Sequence, residues 1–133
     1  MDKNSMKDQV AVITGAASGL GLVISKKLAE NGVKLALLDL SKDTPAVLKN
    51  IPNSTYYSSD VSIEQEIKST IELIYSHYKK IDILINCAGI TGKTNIKSHE
   101  TETENLQRVF EINFLGSYYT AKYVLPYMLK QNY

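Results

Sequence analysis

Short apolar runs alternate with amphipathic helical stretches along the whole chain. Val10-Ala11-Val12-Ile13 is apolar throughout, as a strand covered on both faces would be. From Gly19 onward, Leu20, Val23, Ile24 and Leu28 recur at helical spacing, and Gly32 is placed to end that helix. Lys34-Leu35-Ala36-Leu37-Leu38-Asp39 predicts a second strand, and Ser54-Thr55-Tyr56-Tyr57-Ser58 a weaker third. Ser62-Ile63-Glu64-Gln65 has the form of a capping box. The helix it opens puts Ile63, Ile67, Thr70, Ile71, Ile74 and Tyr78 on one face. Ile81-Asp82-Ile83-Leu84-Ile85 predicts a fourth strand. A loop from about Gly89 to Ser98 then leads to Thr101-Glu102-Thr103-Glu104, a second capping box, and a long helix through about Leu125.

Apolar strands alternating with amphipathic helices imply an α/β fold, a parallel sheet covered on both faces. Right-handed crossovers then give a doubly wound, Rossmann-type arrangement with strand order 3-2-1-4. Residues 1–133 read as one domain portion without repeats or linkers. The order reverses between strands one and four, so a crevice is expected at their carboxyl ends.

Composition narrows the setting. The formal charge of +1 gives no reason to expect nucleic acid or an anionic membrane as partner. Cys87 is the single cysteine, which excludes an internal disulfide framework and suits a reducing, cytoplasmic compartment. The first residues, Met1 to Asp8, lack the apolar core of a signal peptide, and no apolar stretch approaches bilayer length. His77 and His99 have no metal-ligand company and read as surface residues, so no metal is expected.

The chemistry concentrates in Thr14-Gly15-Ala16-Ala17-Ser18-Gly19-Leu20-Gly21, between the first strand and the first helix. Gly15 permits the tight exit from the strand, Gly19 lets backbone N–H groups approach a pyrophosphate, and Gly21 allows close helix packing. The candidate phosphate cradle is therefore the backbone of Gly15, Ser18, Gly19, Leu20 and Gly21, at the positive end of a helix. Asp39 ends the second strand, where a carboxylate accepts from both adenosine ribose hydroxyls and repels a 2′-phosphate. That predicts NAD over NADP, with Lys42 the nearby residue that would soften the preference. Asp60-Val61 follows the third strand. The carboxylate either accepts from the adenine amino group or helps start the helix at Ser62, and the two roles are compatible.

These motifs, with Asn86-Cys87-Ala88-Gly89 after the fourth strand and Asn113-Phe114-Leu115-Gly116 in the next helix, resemble the short-chain dehydrogenase/reductase family. The resemblance spans essentially residues 6–133, and Leu125-Pro126-Tyr127-Met128 looks like the usual ending of that helix. It implies an NAD-dependent hydride transfer between nicotinamide and a small alcohol or ketone. It gives Asn86 a contact on the adenosine side, and Ala88 and Gly89 the space through which the dinucleotide passes. Cys87 stands where the family most often has asparagine and reads as a small buried strand-end residue. Asn113 is the one catalytic residue of the family that the chain carries; its backbone carbonyl would hold a water of the proton relay. The alternative for Asn113 is an amide that only bonds a neighbouring segment.

The family's serine, and its tyrosine and lysine four positions apart, lie beyond Tyr133 by the resemblance. Tyr118…Lys122 and Tyr75…Lys79 match the tyrosine–lysine spacing but sit on the wrong helices and read as chance. The expectation is a nucleotide-binding portion that is not itself catalytically competent, with an exposed fourth strand. It would be a homo-oligomer through the helix carrying Asn113, whose outer face is Tyr118, Lys122 and Leu125. The alternative is a pseudoenzyme serving as a nucleotide-sensing or subunit-interaction module.

Overall fold

The computed structural model describes residues 6–132; Met1 to Ser5, most of the stretch that lacks a signal-peptide core, and Tyr133 lie outside the described residues. Four parallel strands, β1 (Val10–Thr14), β2 (Lys34–Asp39), β3 (Ser54–Ser58) and β4 (Ile83–Asn86), pair in the order β3-β2-β1-β4. This is the doubly wound arrangement that the strand–helix alternation predicts. Helices α1 (Gly19–Glu30), α2 (Glu64–Tyr78), α3 (Thr103–Phe110) and α4 (Gly116–Gln131) connect and flank the strands.

Strand alternation divides the core in two. Ala11, Ile13, Leu35 and Leu37 face α1, while Val12, Ala36 and Leu38 face α2 and α4. On the second side Ile67, Ile71 and Ile74 are fully buried, each contributing roughly 1.5–3 kcal/mol by leaving water. Among the described residues β4 has a partner on one edge only; its first three residues are half-buried and Asn86 is exposed, where those of β1 are buried throughout.

The inner face of α1 departs from its apolar spacing. Leu20 and Val23 are 75% and 63% exposed, and the residues buried are Gly21, Ser25 and Ala29. A stripe of small residues lets the helix lie close to the sheet, which a leucine at position 21 or 25 would prevent. The Ser25 hydroxyl donates to the Gly21 carbonyl at 2.7 Å, so its burial leaves no polar atom unpaired.

Neither expected capping box forms. α2 begins at Glu64, slightly later than the Ser62 pattern suggests: the Ser62 hydroxyl and N–H both donate to Asp60 Oδ1, at 2.6 and 2.9 Å, and the Ser62 oxygen accepts from Arg108 at 2.8 Å instead of capping a helix N–H. Glu66 reaches back in place of Gln65 and accepts from the Asp60 N–H at 2.8 Å. At α3, the residue before the helix is Glu102, engaged by Lys93 at 2.7 Å and making no side-chain cap. β4 also starts later than its apolar run, since Ile81 N–H donates to the Gln131 side chain at 2.9 Å instead of joining the ladder.

The long helix does not stop near Leu125. After α3 comes a π-helical turn, Glu111–Leu115, and α4 then runs through Pro126 to Gln131. Tertiary contacts hold the turn beyond the proline, offsetting the backbone bond it removes. Tyr127 stacks on Tyr75 with ring centres 4.0 Å apart, and Gln131 pairs with both the N–H and the carbonyl of Ile81.

Candidate functional site

A crevice of about 340 Å³ opens at the carboxyl ends of the strands. From the sequence candidates it brings together Gly15, Ser18, Gly19 and Leu20 of the turn, Asp39, then Asp60 with Val61, and Ala88 with Gly89. Gly21, Asn86 and Asn113 do not line it. Gly21 lies beneath the turn, where an added Cβ would overlap the Gly15 carbonyl oxygen. Asn86 accepts from the Thr120 hydroxyl at 2.7 Å, joining the end of β4 to α4.

The turn is built for close approach. Gly15 takes φ +62°, and a Cβ there would sit 2.7 Å from the Ala88 nitrogen, so only glycine fits between the strand end and the loop after β4. Above it, Ser18 starts α1 without a side-chain cap, which leaves first-turn N–H groups of the helix for an anion. A Cβ on Gly19 would meet nothing within 4 Å, so this stretch of backbone faces open space. A pyrophosphate fits that chemistry: backbone donors, a helix N-terminus and no side chain in the way.

Asp39 is fixed before any ligand arrives. Its Oδ2 accepts from the Ala17 N–H at 2.9 Å and its Oδ1 from the Leu40 N–H at 2.8 Å, tying the end of β2 to the glycine turn. Asp60 is held as firmly. Its Oδ1 takes both Ser62 donors, and its Oδ2 accepts from Arg108 at 3.3 Å. Burial works against its charge, but the hydrogen bonds from Ser62 and Arg108 outweigh this and hold its pKa below the ordinary carboxylate value. Asp60 thus acts at the approach to α2 and lines the crevice at once.

Asn113 occupies the π turn. Its Oδ1 accepts from the Ile90 N–H at 2.8 Å and its Nδ2 donates to the Ile90 carbonyl at 2.9 Å, as a strand neighbour would. The side chain therefore positions the loop after β4, and the Asn113 carbonyl accepts from the Ser117 hydroxyl at 3.3 Å.

Three residues outside the candidate list matter to the site. Thr14 Oγ1 accepts from the N–H groups of Cys87 and Ala88, both at 3.2 Å, and so clamps the loop after β4 to the end of β1. A lone hydroxyl at the end of a fully apolar strand is the sequence feature that marks it, because it must find partners when buried. Arg108 and Tyr56 reach the site from other elements, and no local pattern points to either. Cys87 is half-buried and lines the crevice, not buried as its strand-end position suggests, because the end of β4 opens onto that space.

The two tyrosine–lysine matches lie elsewhere. Tyr75 is stacked on Tyr127, and Lys122 pairs with Glu64 at 2.6 Å; neither match lines the crevice. His77 packs edge-on against Tyr78, and exposed His99 lies 3.9 Å from Glu100. Among the described residues no group of three or more His, Cys, Asp or Glu side chains is placed to hold a metal ion, and no helix is long and apolar enough to cross a membrane.

Known proteins are similar to this chain in sequence and frame. The chain is 36% identical over 126 residues to 3-hydroxyacyl-CoA dehydrogenase type-2 of Homo sapiens, covering 90% of this chain and 48% of that protein. It is 31% identical over 131 residues to zerumbone synthase of Zingiber zerumbet, covering 92% and 49%. Among solved structures, an NAD+-bound xylitol dehydrogenase superposes with a TM-score of 0.88 at 28% identity, over 97% of this chain and 51% of that one. The 3-ketoacyl-(acyl-carrier-protein) reductase of Brucella melitensis complexed with NADH gives 0.86 at 29% identity, over 96% and 52%. The chain thus spans about half the length of these relatives. The family model for short chain dehydrogenases matches residues 9–133, nearly the whole chain, and the protein belongs to that family.

Proposed function

We propose that this chain forms the nucleotide-binding portion of an oxidoreductase that moves hydride between a nicotinamide cofactor and a small alcohol or ketone. The observation that carries the reading is the convergence of the glycine turn, Asp39, Asp60-Val61 and Ala88-Gly89 on one crevice. The neighbours with NAD+ and NADH bound support it.

In this reading the cradle from Gly15 to Gly21 binds the pyrophosphate, and Asp39 takes the adenosine ribose, preferring NAD to NADP. Asp60 and Val61 address the adenine, Asn86 stands on the adenosine side, and Ala88 and Gly89 leave the passage toward the nicotinamide. The nicotinamide supplies hydride when bound. The Asn113 carbonyl, with one lone pair taken by Ser117, would hold a relay water with the other. No tyrosine or lysine among the described residues lines the crevice, so the role assigned to this chain is binding and orientation. A cytoplasmic setting fits the free Cys87.

A thermal-shift titration of the purified chain tests this. NAD should raise the melting temperature, by the equivalent of about 2.7 kcal/mol at a hundredfold excess over Kd, and NADP should do much less at equal concentration. No shift with either dinucleotide would end the proposal.

Self-association belongs to the same reading. Leu106, Phe110, Phe114, Tyr118, Leu125 and Leu129 are each at least half exposed along α3, the π turn and α4, and the rings of Phe110 and Phe114 stack 5.0 Å apart. Such an apolar stripe favours a second copy over water. Sedimentation should show at least a dimer at tens of micromolar, and F110E/F114E should return it to monomer. A wild-type chain monomeric at that concentration would sink the idea.

A further inference from the structure

Tyr56 carries a hydroxyl that packing alone does not require. It sits in β3 opposite Leu37 of β2, and its ring leans on the core face shared with Ile13 and Leu35. Phenylalanine would fill that space as well, and strands favour tyrosine in any case. The hydroxyl, however, reaches past the end of β2 to two backbone carbonyls: that of Asp39 at 3.0 Å and that of Ser41 at 2.6 Å. It thereby closes the loop leaving β2 on itself. The Asp39 carbonyl is further held by the Ser59 N–H at 2.9 Å, so the bond to Ser41 is the one that fixes the chain just beyond Asp39. Burial, and then the nearby charge of Asp39, push the phenol pKa up.

The loop so fixed decides what the ribose end of the crevice presents. Within it Asp39 has both oxygens committed to backbone N–H groups, Leu40 lines the crevice, and Lys42 is exposed with no hydrogen-bond or ion-pair partner among the described residues. Lys42, three positions beyond the carboxylate, carries the opposite charge on the same loop and does not line the crevice as the loop now runs. Whether Asp39 or Lys42 governs the 2′ position then depends on the path of residues 39–42.

We propose that Tyr56 is a specificity-determining positioning residue: its hydroxyl latches the loop after β2 so that Asp39 faces the adenosine ribose and Lys42 is kept from the 2′ position. This rests on the assignment of Asp39 to the ribose made above. The latch acts through backbone carbonyls and leaves the phosphate cradle untouched, so its loss alters the choice of dinucleotide more than the ability to bind one.

The test is the ratio of Kd for NADP to Kd for NAD, measured by calorimetry on the wild-type chain and on Y56F, K42A, Y56F/K42A and D39N. Y56F should lower the ratio about fivefold, the size of one net hydrogen bond, and K42A added to it should restore the ratio to within about twofold. K42A alone, an exposed change that folding tolerates, should leave the ratio where it is. An unchanged ratio in Y56F alongside a collapse in D39N overturns the latch and spares the ribose assignment. A ratio that moves in K42A alone also overturns it, since Lys42 then already reaches the ligand with the latch closed. A ratio indifferent to D39N, or a wild-type chain that binds neither dinucleotide, overturns the ribose assignment and the latch with it.

Discussion

Replacing Gly21 with alanine should unseat α1 and abolish dinucleotide binding. A Cβ at this position would overlap the Gly15 carbonyl oxygen and stand 2.8 Å from its carbonyl carbon and 3.2 Å from Ala16 Cα. All three atoms are backbone. Gly15 is itself packed against the loop after β4, closely enough that a Cβ on it would sit 2.7 Å from the Ala88 nitrogen. Either α1 lifts off the sheet, dragging Ser25 and Ala29 out of contact, or the turn opens and loses the Ala16 N–H bond to the Leu38 carbonyl. Overpacking a site of this kind costs roughly 3 kcal/mol. For a domain of this size that is a fall in melting temperature of about 10 °C. G19A is the control. It meets open space, so only its positive φ is strained, at about 1 kcal/mol. Calorimetry and an NAD titration on both variants check the claim, and G21A melting within about 2 °C of wild type would refute it.

The sheet was legible in the chain because β1, β2 and β4 are apolar runs bounded by turn residues, and the β-prone Thr55-Tyr56-Tyr57 marks β3 more weakly. The crevice followed from it: parallel strands in the order 3-2-1-4 open at one edge, and Gly15, Asp39, Asp60 and Ala88 all fall at that edge. Helix faces were harder. Counting apolar residues puts Leu20 and Val23 inward, yet the distance between α1 and the sheet is set by Gly21, Ser25 and Ala29, which carry little hydrophobic weight. Capping failed for a related reason. The Ser62 hydroxyl is turned to Asp60, to which it donates, and its oxygen accepts from Arg108 at 2.8 Å instead of from a helix N–H, partners that a local pattern does not show. Pro126 predicted an end that Gln131 and Tyr127 override through partners some fifty residues away in the chain, at Ile81 and Tyr75. Arg108 and Tyr56 stayed hidden because each acts on the site from a separate element.

Thr14→Val should cost more than its near-identical shape suggests. Thr14 is 1% exposed, and its Oγ1 is the acceptor for the N–H groups of Cys87 and Ala88. Valine keeps the volume and branching, so packing against β2 and β4 survives while both donors lose their partner. Leaving two partly buried N–H groups unpaired costs about 2–3 kcal/mol. The damage is directional as well, because those groups begin the loop that carries Ala88 and Gly89 along the crevice. With the clamp gone, that loop relies on the paired bonds between Asn113 and Ile90 at its far side. Amide exchange at Cys87 and Ala88 should therefore accelerate more than at Ile90, and NAD affinity should fall with it. Thr14→Ser separates the two contributions. It deletes one methyl group, worth about 1 kcal/mol, and keeps the acceptor, so both amides should stay protected. Urea unfolding of the three proteins, read with exchange at these amides, decides the matter. A T14V chain as stable as wild type, or a T14S chain less protected at Cys87 than T14V, would show that the hydroxyl does not hold the two strand ends together.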